Sequence, residues 1–226
     1  MKSHVLEIDS VQKSINHKTI LYDVYLKCKT GDVIGILGRN GSGKSTLLRI
    51  IYDDIEADFK RVCIDGKIKN FNYQIIQDVS FLNQDSFIPK KMFVKQSIIY
   101  SVDREKYLQF ISDDLIERII GRRVSDLSGG ELRYLEIKLL LENNSKFLLM
   151  DEPFKGLSPV MIAKVMELIN VNAKNKGIII TDHSYINIIK LSTQIFLMKL
   201  GALYKIDDKN ELVTHGYLNS NMLLSI

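Results

Sequence analysis

The stretch GRNGSGKST, residues 38–46, sets three glycines around a basic and hydroxyl-bearing core, the composition a protein needs to hold a polyphosphate. Gly38, Gly41 and Gly43 let the backbone bend around an anion with its N–H groups turned inward, and Arg39, Asn40, Ser42 and Thr46 complete the cradle. Lys44 can then reach β and γ phosphates, and the Ser45 hydroxyl can ligate Mg2+. The apolar run VIGIL precedes the loop and TLLRII follows it, so the pattern sits in the strand–turn–helix setting that its mechanism requires.

Two further strand ends carry polar side chains. FLLMDE, residues 147–152, ends in a carboxylate pair at what should be the carboxyl edge of a sheet, where open α/β folds bind ligands. Neighbouring strand residues point to opposite sides, which gives the acids separate tasks. Asp151 suits the metal, and Glu152 suits the attacking water as a general base or orienting group. IIITDHS repeats the geometry and places His183 where it can sense a γ-phosphate. Gln84 closes VSFLNQ, at a junction where one amide can contact both metal and nucleotide.

A second anion site follows at LSGGE, residues 127–131. Ser128 and Glu131 have the S-x-x-E spacing of a capping box, and Gly129 and Gly130 leave the helix start open to an approaching anion.

These residues need a sheet to position them. Apolar runs at 4–8, 33–37, 79–83, 147–151, 177–181 and 195–200 read as strands, several without alternation, as in a parallel sheet covered on both faces. PVMIAKVMELINVNAK (159–174) is a helix with proline in its first turn. Strand, helix, strand in sequence predicts an α/β core with right-handed crossovers. ILYDVYLKC (20–28) alternates and predicts an antiparallel flank. From about Phe87 to Leu127 the pattern is helical, with Tyr107, Ile111, Leu115 and Ile119 at four-residue spacing, which predicts a small helical subdomain (87–127) inserted in one domain spanning 1–226.

With 226 residues and 46% hydrophobic content the chain can bury a substantial core. The net charge of +4 is mild and its basic residues are scattered, so no nucleic-acid partner is expected. Cys28 and Cys63 lack the spacing of a metal site or disulfide framework and read as buried thiols. There is no apolar run of about 18 residues and no signal-peptide pattern at the start, so any membrane spanning falls to other subunits.

Taken together, the Walker A match GRNGSGKS, the Q-loop residue Gln84, the signature LSGGE, the Walker B run FLLMDE and the switch residue His183 resemble, in order and spacing, the nucleotide-binding domain of ATP-binding-cassette (ABC) ATPases over nearly the whole chain. The resemblance implies a P-loop core of mostly parallel sheet with an N-terminal antiparallel flank and an inserted helical subdomain. It implies ATP and Mg2+ as cofactors, with Ser45, Gln84 and Asp151 at the metal. It also implies a head-to-tail dimer, identical or mixed, in which Ser128, Gly129 and Gly130 of one copy cover the γ-phosphate held by the other. The expected function is the ATP-hydrolysing subunit of a transporter, at the cytoplasmic face of the membrane and docked on a separate permease. The alternative is a soluble cassette ATPase of cytosolic assembly or ribosome-associated work. Two positions depart from the family pattern: Ile15 stands where an aromatic residue usually stacks on adenine, and Ser158 stands at the usual aspartate of the D-loop.

Overall fold

The computed structural model describes residues 3–70 and 72–223, so the last three residues of the C-terminal tail lie outside the described residues. In chain order the elements are β1 (Val5–Ile15), β2 (Lys18–Lys29), β3 (Val33–Leu37), α1 (Lys44–Ile51), β4 (Phe59–Ile64), β5 (Lys67–Ile68), α2 (Asn72–Ile75) and β6 (Val79–Leu82). There follow α3 (Val94–Ser101), α4 (Tyr107–Ile111), α5 (Asp114–Ile119), α6 (Gly129–Glu142), β7 (Phe147–Asp151), α7 (Pro159–Ala173) and β8 (Gly177–Thr181). The chain continues through α8 (Tyr185–Leu191), β9 (Gln194–Lys199), β10 (Ala202–Ile206), α9 (Glu211–Thr214) and α10 (Ser220–Leu223).

A six-stranded sheet runs β10-β9-β3-β8-β7-β6, and within it β9, β3, β8, β7 and β6 are parallel while β10 is antiparallel. Every residue of β3, β7 and β8 is buried. Their side chains divide by parity: Leu148, Met150, Ile178 and Ile180 enter one core with the helices, and Phe147, Leu149, Ile34 and Ile179 enter another. That second core is shared with the antiparallel sheet β2-β1-β4-β5 and with α1. A sheet buried on both faces can meet solvent only at its ends, and this brings the phosphate loop, Asp151 and Thr181 to one edge.

The antiparallel flank forms as the alternation of β2 requires, its buried positions falling on every second residue from Val24 to Cys28. Both thiols are buried, Cys28 on β2 and Cys63 on β4. β4, β5 and β10 carry no long apolar run, and they stand at or near the margins of the sheets, where one face meets water. Among the described residues no helix is long and apolar enough to cross a membrane.

Between β6 and β7 lie α3 to α6 and a short 3-10 turn (Val124–Asp126). The four-residue spacing from Tyr107 to Ile119 does not mark one helix. It spans two, because Asp113 adopts an extended conformation (φ −74°, ψ 125°) and its carboxylate caps α5 by accepting from the N–H groups of Leu115 and Ile116. A strong N-cap here outweighs continuous periodicity. The same carboxylate accepts from Tyr134 Oη at 2.6 Å and Lys138 Nζ at 2.9 Å, both on α6. Burial pushes the Asp113 carboxyl up, but the bonds from Tyr134 and Lys138 outweigh it and hold the group below the usual carboxylate range.

D113A would remove a cap and strand the buried Lys138 ammonium. It is expected to cost about 3 kcal/mol, or roughly 6–12 °C in Tm for a chain of this size. Thermal unfolding followed by circular dichroism checks this. Because the folded-state pKa is depressed, this contribution is present above the ordinary carboxylate range and is lost as pH falls through the folded value. The Tm difference from D113A should therefore narrow in acid.

Candidate functional site

β3 ends in the loop 38–43, whose glycines sit at positive φ: Gly38 at 155°, Gly41 at 74° and Gly43 at 107°. A Cβ on Gly38 would lie 2.7 Å from the Met198 carbonyl, so conformation and space both demand glycine there, while at Gly43 the positive φ makes the demand. The loop leads directly into α1, whose first amides stand at the positive end of the helix dipole. Lys44 is buried and its ammonium donates to the carbonyls of Gly38 (2.7 Å) and Arg39 (3.1 Å), on the inside of the loop. Burial lowers the Lys44 pKa while Asp151 and Glu152 oppose that shift. Among the described residues, Ser42 Oγ is a buried hydroxyl with no hydrogen-bond partner, which suits a phosphate oxygen.

Asp151 is the hub of the sheet edge. Its Oδ1 accepts from Ser45 Oγ (3.0 Å) and Thr181 Oγ1 (2.7 Å), and Gln84 Nε2 approaches Oδ2 at 3.5 Å. A serine hydroxyl, a carboxylate and an amide supply hard oxygen donors of the kind Mg2+ prefers, so the residues present fit that ion. Gln84 lies beyond the end of β6, in an exposed loop, rather than within the strand.

The two acids are separated by more than strand alternation. β7 stops at Asp151, and Glu152 takes φ 50°, a left-handed conformation that costs a non-glycine residue about 1–2 kcal/mol. Its N–H donates to the Thr181 carbonyl at 2.8 Å. The turn swings the Glu152 carboxylate to His183, with Oε1 2.7 Å from Nε2, and Oε2 lies 3.3 Å from Lys155 Nζ. Asp182 holds the surrounding chain by accepting from the N–H groups of Phe154 (3.0 Å) and Ser184 (2.8 Å). An acid–imidazole pair thus stands beside the Ser45–Asp151 pair, an arrangement able to orient and deprotonate a water next to a held phosphate.

The signature forms the capping box its spacing implies: Ser128 N donates to Glu131 Oε2 at 2.7 Å, and Glu131 N donates to Ser128 Oγ at 3.3 Å. Arg122 adds an ion pair to Glu131 at 3.0 Å. Nothing lies within 4 Å of a Cβ built on Gly129, so that helix start is open, whereas Gly130 faces the Gly156 carbonyl at 3.1 Å. Among the described residues no hydrogen bond or ion pair joins Ser128, Gly129 or Gly130 to the phosphate loop. Ile15 is about half exposed at the end of β1. Ser158 caps α7 by accepting from Met161 N, a task an aspartate would share, so the change at this position keeps the helix start.

Several partners escape sequence reasoning. Thr181 and Asp182 reach the site through the register of β8 against β7. Arg39 does not turn inward: its guanidinium donates to the Gly216 carbonyl at 3.1 Å and fastens the C-terminal segment to the loop. Arg133 on α6 is buried against the ends of β6 and β7. The signal available for it is a lone arginine among the apolar positions of a helix, which does not name its acceptors.

Comparison with known proteins places this geometry. A family profile described as ABC transporter matches residues 21–155. The lipopolysaccharide export system ATP-binding protein LptB of Haemophilus influenzae is 26% identical over 213 residues, covering 88% of each chain. The xylose/arabinose import ATP-binding protein XylG of Sulfolobus acidocaldarius is 30% identical over 219 residues, covering 89% of this chain and 87% of its own. A solved ATP binding subunit of an ABC transporter superposes with a TM-score of 0.83 at 18% identity, covering 96% of this chain and 95% of that one. An ATP-bound bacterial Atm1-family ABC exporter superposes at 0.81 and 21% identity, and contains the fold as 42% of its chain.

Proposed function

The chain belongs to the ABC transporter family as an ATP-hydrolysing subunit, and from that premise we propose how its own residues carry out the reaction. The loop Gly38–Thr46 and the first turn of α1 hold the triphosphate. Lys44 exchanges its loop carbonyls for β and γ phosphate oxygens. Ser45, Asp151 and Gln84 would hold Mg2+, which when bound would neutralise charge building on the phosphate oxygens. Glu152 orients the attacking water and accepts its proton, and His183, 2.7 Å away, fixes the carboxylate and faces the γ-phosphate. The observation that carries this reading is the convergence on Asp151 of Ser45, Thr181 and Gln84, from three separate elements, beside the Glu152–His183 pair.

The open helix start at Gly129 has the chemistry of a γ-phosphate cover, and among the described residues no hydrogen bond or ion pair ties it to the phosphate loop of its own chain. The site is therefore completed by the signature of a second cassette, packed head to tail. ATP joins the two surfaces and hydrolysis releases them. Residues 87–127 act as a helical unit inserted in a single domain. A membrane-spanning permease docks between Gln84 and that unit, around Ser86–Lys95, where Phe87 and Phe93 are exposed beside three lysines. This sets the protein at the cytoplasmic face of the membrane. Ile15 offers adenine an aliphatic contact in place of a ring, which weakens selection among bases.

The test is phosphate release by the purified chain. Release from ATP is expected to require Mg2+, to stop when the ion is chelated, and to return when it is restored. Release that continues at full rate in excess chelator would overturn the assignment of Ser45, Gln84 and Asp151.

A further inference from the structure

One face of α6 meets both the Gln84 loop and the backbone of Glu152. Arg133 is 8% exposed, and its guanidinium donates to the carbonyls of Asn83 (2.6 Å), Asp151 (2.6 Å) and Glu152 (3.2 Å). One turn later Glu136, 2% exposed, lies 3.7 Å from Arg133 and accepts from Phe87 N at 3.2 Å and from the Ser86 side chain. Residues 83 to 87 are thus clipped at both ends by a single helix, with Gln84 between the clips. The left-handed Glu152 has its N–H tied to Thr181 and its carbonyl tied to Arg133, so the strained residue is fixed from both sides. The two terminal nitrogens of the rigid guanidinium fork divide the task, one meeting Asn83 and the other Asp151 and Glu152, a span that the single nitrogen of a lysine does not reproduce.

We propose that Arg133, held by Glu136, is a positioning residue for hydrolysis: it locks the Gln84 loop and the Glu152 backbone to the helix that begins at the signature. The inference rests on the reading of Glu152 as the group that activates water. It follows that displacement of α6 at Ser128, or of the Gln84 loop at its docking surface, reaches the catalytic carboxylate through one guanidinium.

The test compares R133M, R133K and the double variant R133M/E136Q with wild type, measuring phosphate release, ATP binding and Tm. R133M is expected to lower kcat at least about 10-fold with KM for ATP within about 2- to 3-fold. R133K should fail to restore kcat. The double variant removes the stranded carboxylate and should recover much of the lost Tm while kcat stays low. Recovery of kcat together with Tm in the double variant, or a wild-type kcat in R133M, would overturn the proposal. E152Q is run in parallel to separate the two readings. If E152Q loses hydrolysis and R133M keeps the wild-type rate, the positioning role alone fails; if E152Q hydrolyses ATP at the wild-type rate, the underlying assignment fails with it.

Discussion

E152Q is expected to lower steady-state ATP hydrolysis about 10²- to 10³-fold while leaving ATP affinity within about 2-fold, the size of effect that follows from losing a general base. The amide keeps the length and shape of the carboxylate and can still meet His183 across the 2.7 Å contact, but it cannot take a proton from water. Binding is spared because Lys44, Ser45 and the loop amides are untouched, and the Glu152 N–H bond to Thr181 does not depend on the side chain. Phosphate release together with equilibrium binding of a fluorescent ATP analogue measures both halves. A variant that hydrolyses at more than a tenth of the wild-type rate would move the base to another residue.

K44A is expected to weaken ATP binding by about 2–3 kcal/mol, roughly 30- to 150-fold in Kd, the size of a charge-assisted bond to phosphate. The side chain does two things, since its ammonium also gathers the carbonyls of Gly38 and Arg39. Alanine leaves those carbonyls facing the cradle with no cation between them and the phosphates. Titration calorimetry with ATP, under conditions where the variant's Tm matches wild type, checks the value. Affinity unchanged within about 2-fold would mean that the triphosphate does not sit in this loop.

The parts of the site that are legible in sequence are those whose chemistry is local. The phosphate loop is readable because glycine spacing, an apolar strand and a helix start adjoin it, and the capping box at Ser128 because its two members are three residues apart. β3, β7 and β8 are readable because burial on both faces keeps them apolar up to their last residues, where Asp151 and Thr181 reach the site. Marginal strands such as β4 and β10 tolerate lysine, arginine and tyrosine on the wet face, and so leave no apolar run to read. The break at Asp113 was hidden because a capping aspartate and a continuous four-residue period make opposite demands, and the cap prevails through Tyr134 and Lys138, both distant in sequence. The left-handed turn at Glu152 has no sequence marker, since glycine is the usual sign of positive φ and a glutamate stands there. Arg133 is the extreme case: its acceptors are main-chain carbonyls whose positions depend on how α6 packs against the sheet, not on any side chain that a pattern could name.

In the proposed dimer, ATP is clamped between the phosphate loop of one cassette and the signature of another. Light scattering of E152Q with saturating ATP and Mg2+ tests it most directly. The expected particle has twice the 25.9 kDa chain mass, returning to one chain when Ser128 is also replaced by arginine, because a bulky cation there blocks the open helix start. A particle of 25.9 kDa with nucleotide bound would contradict it.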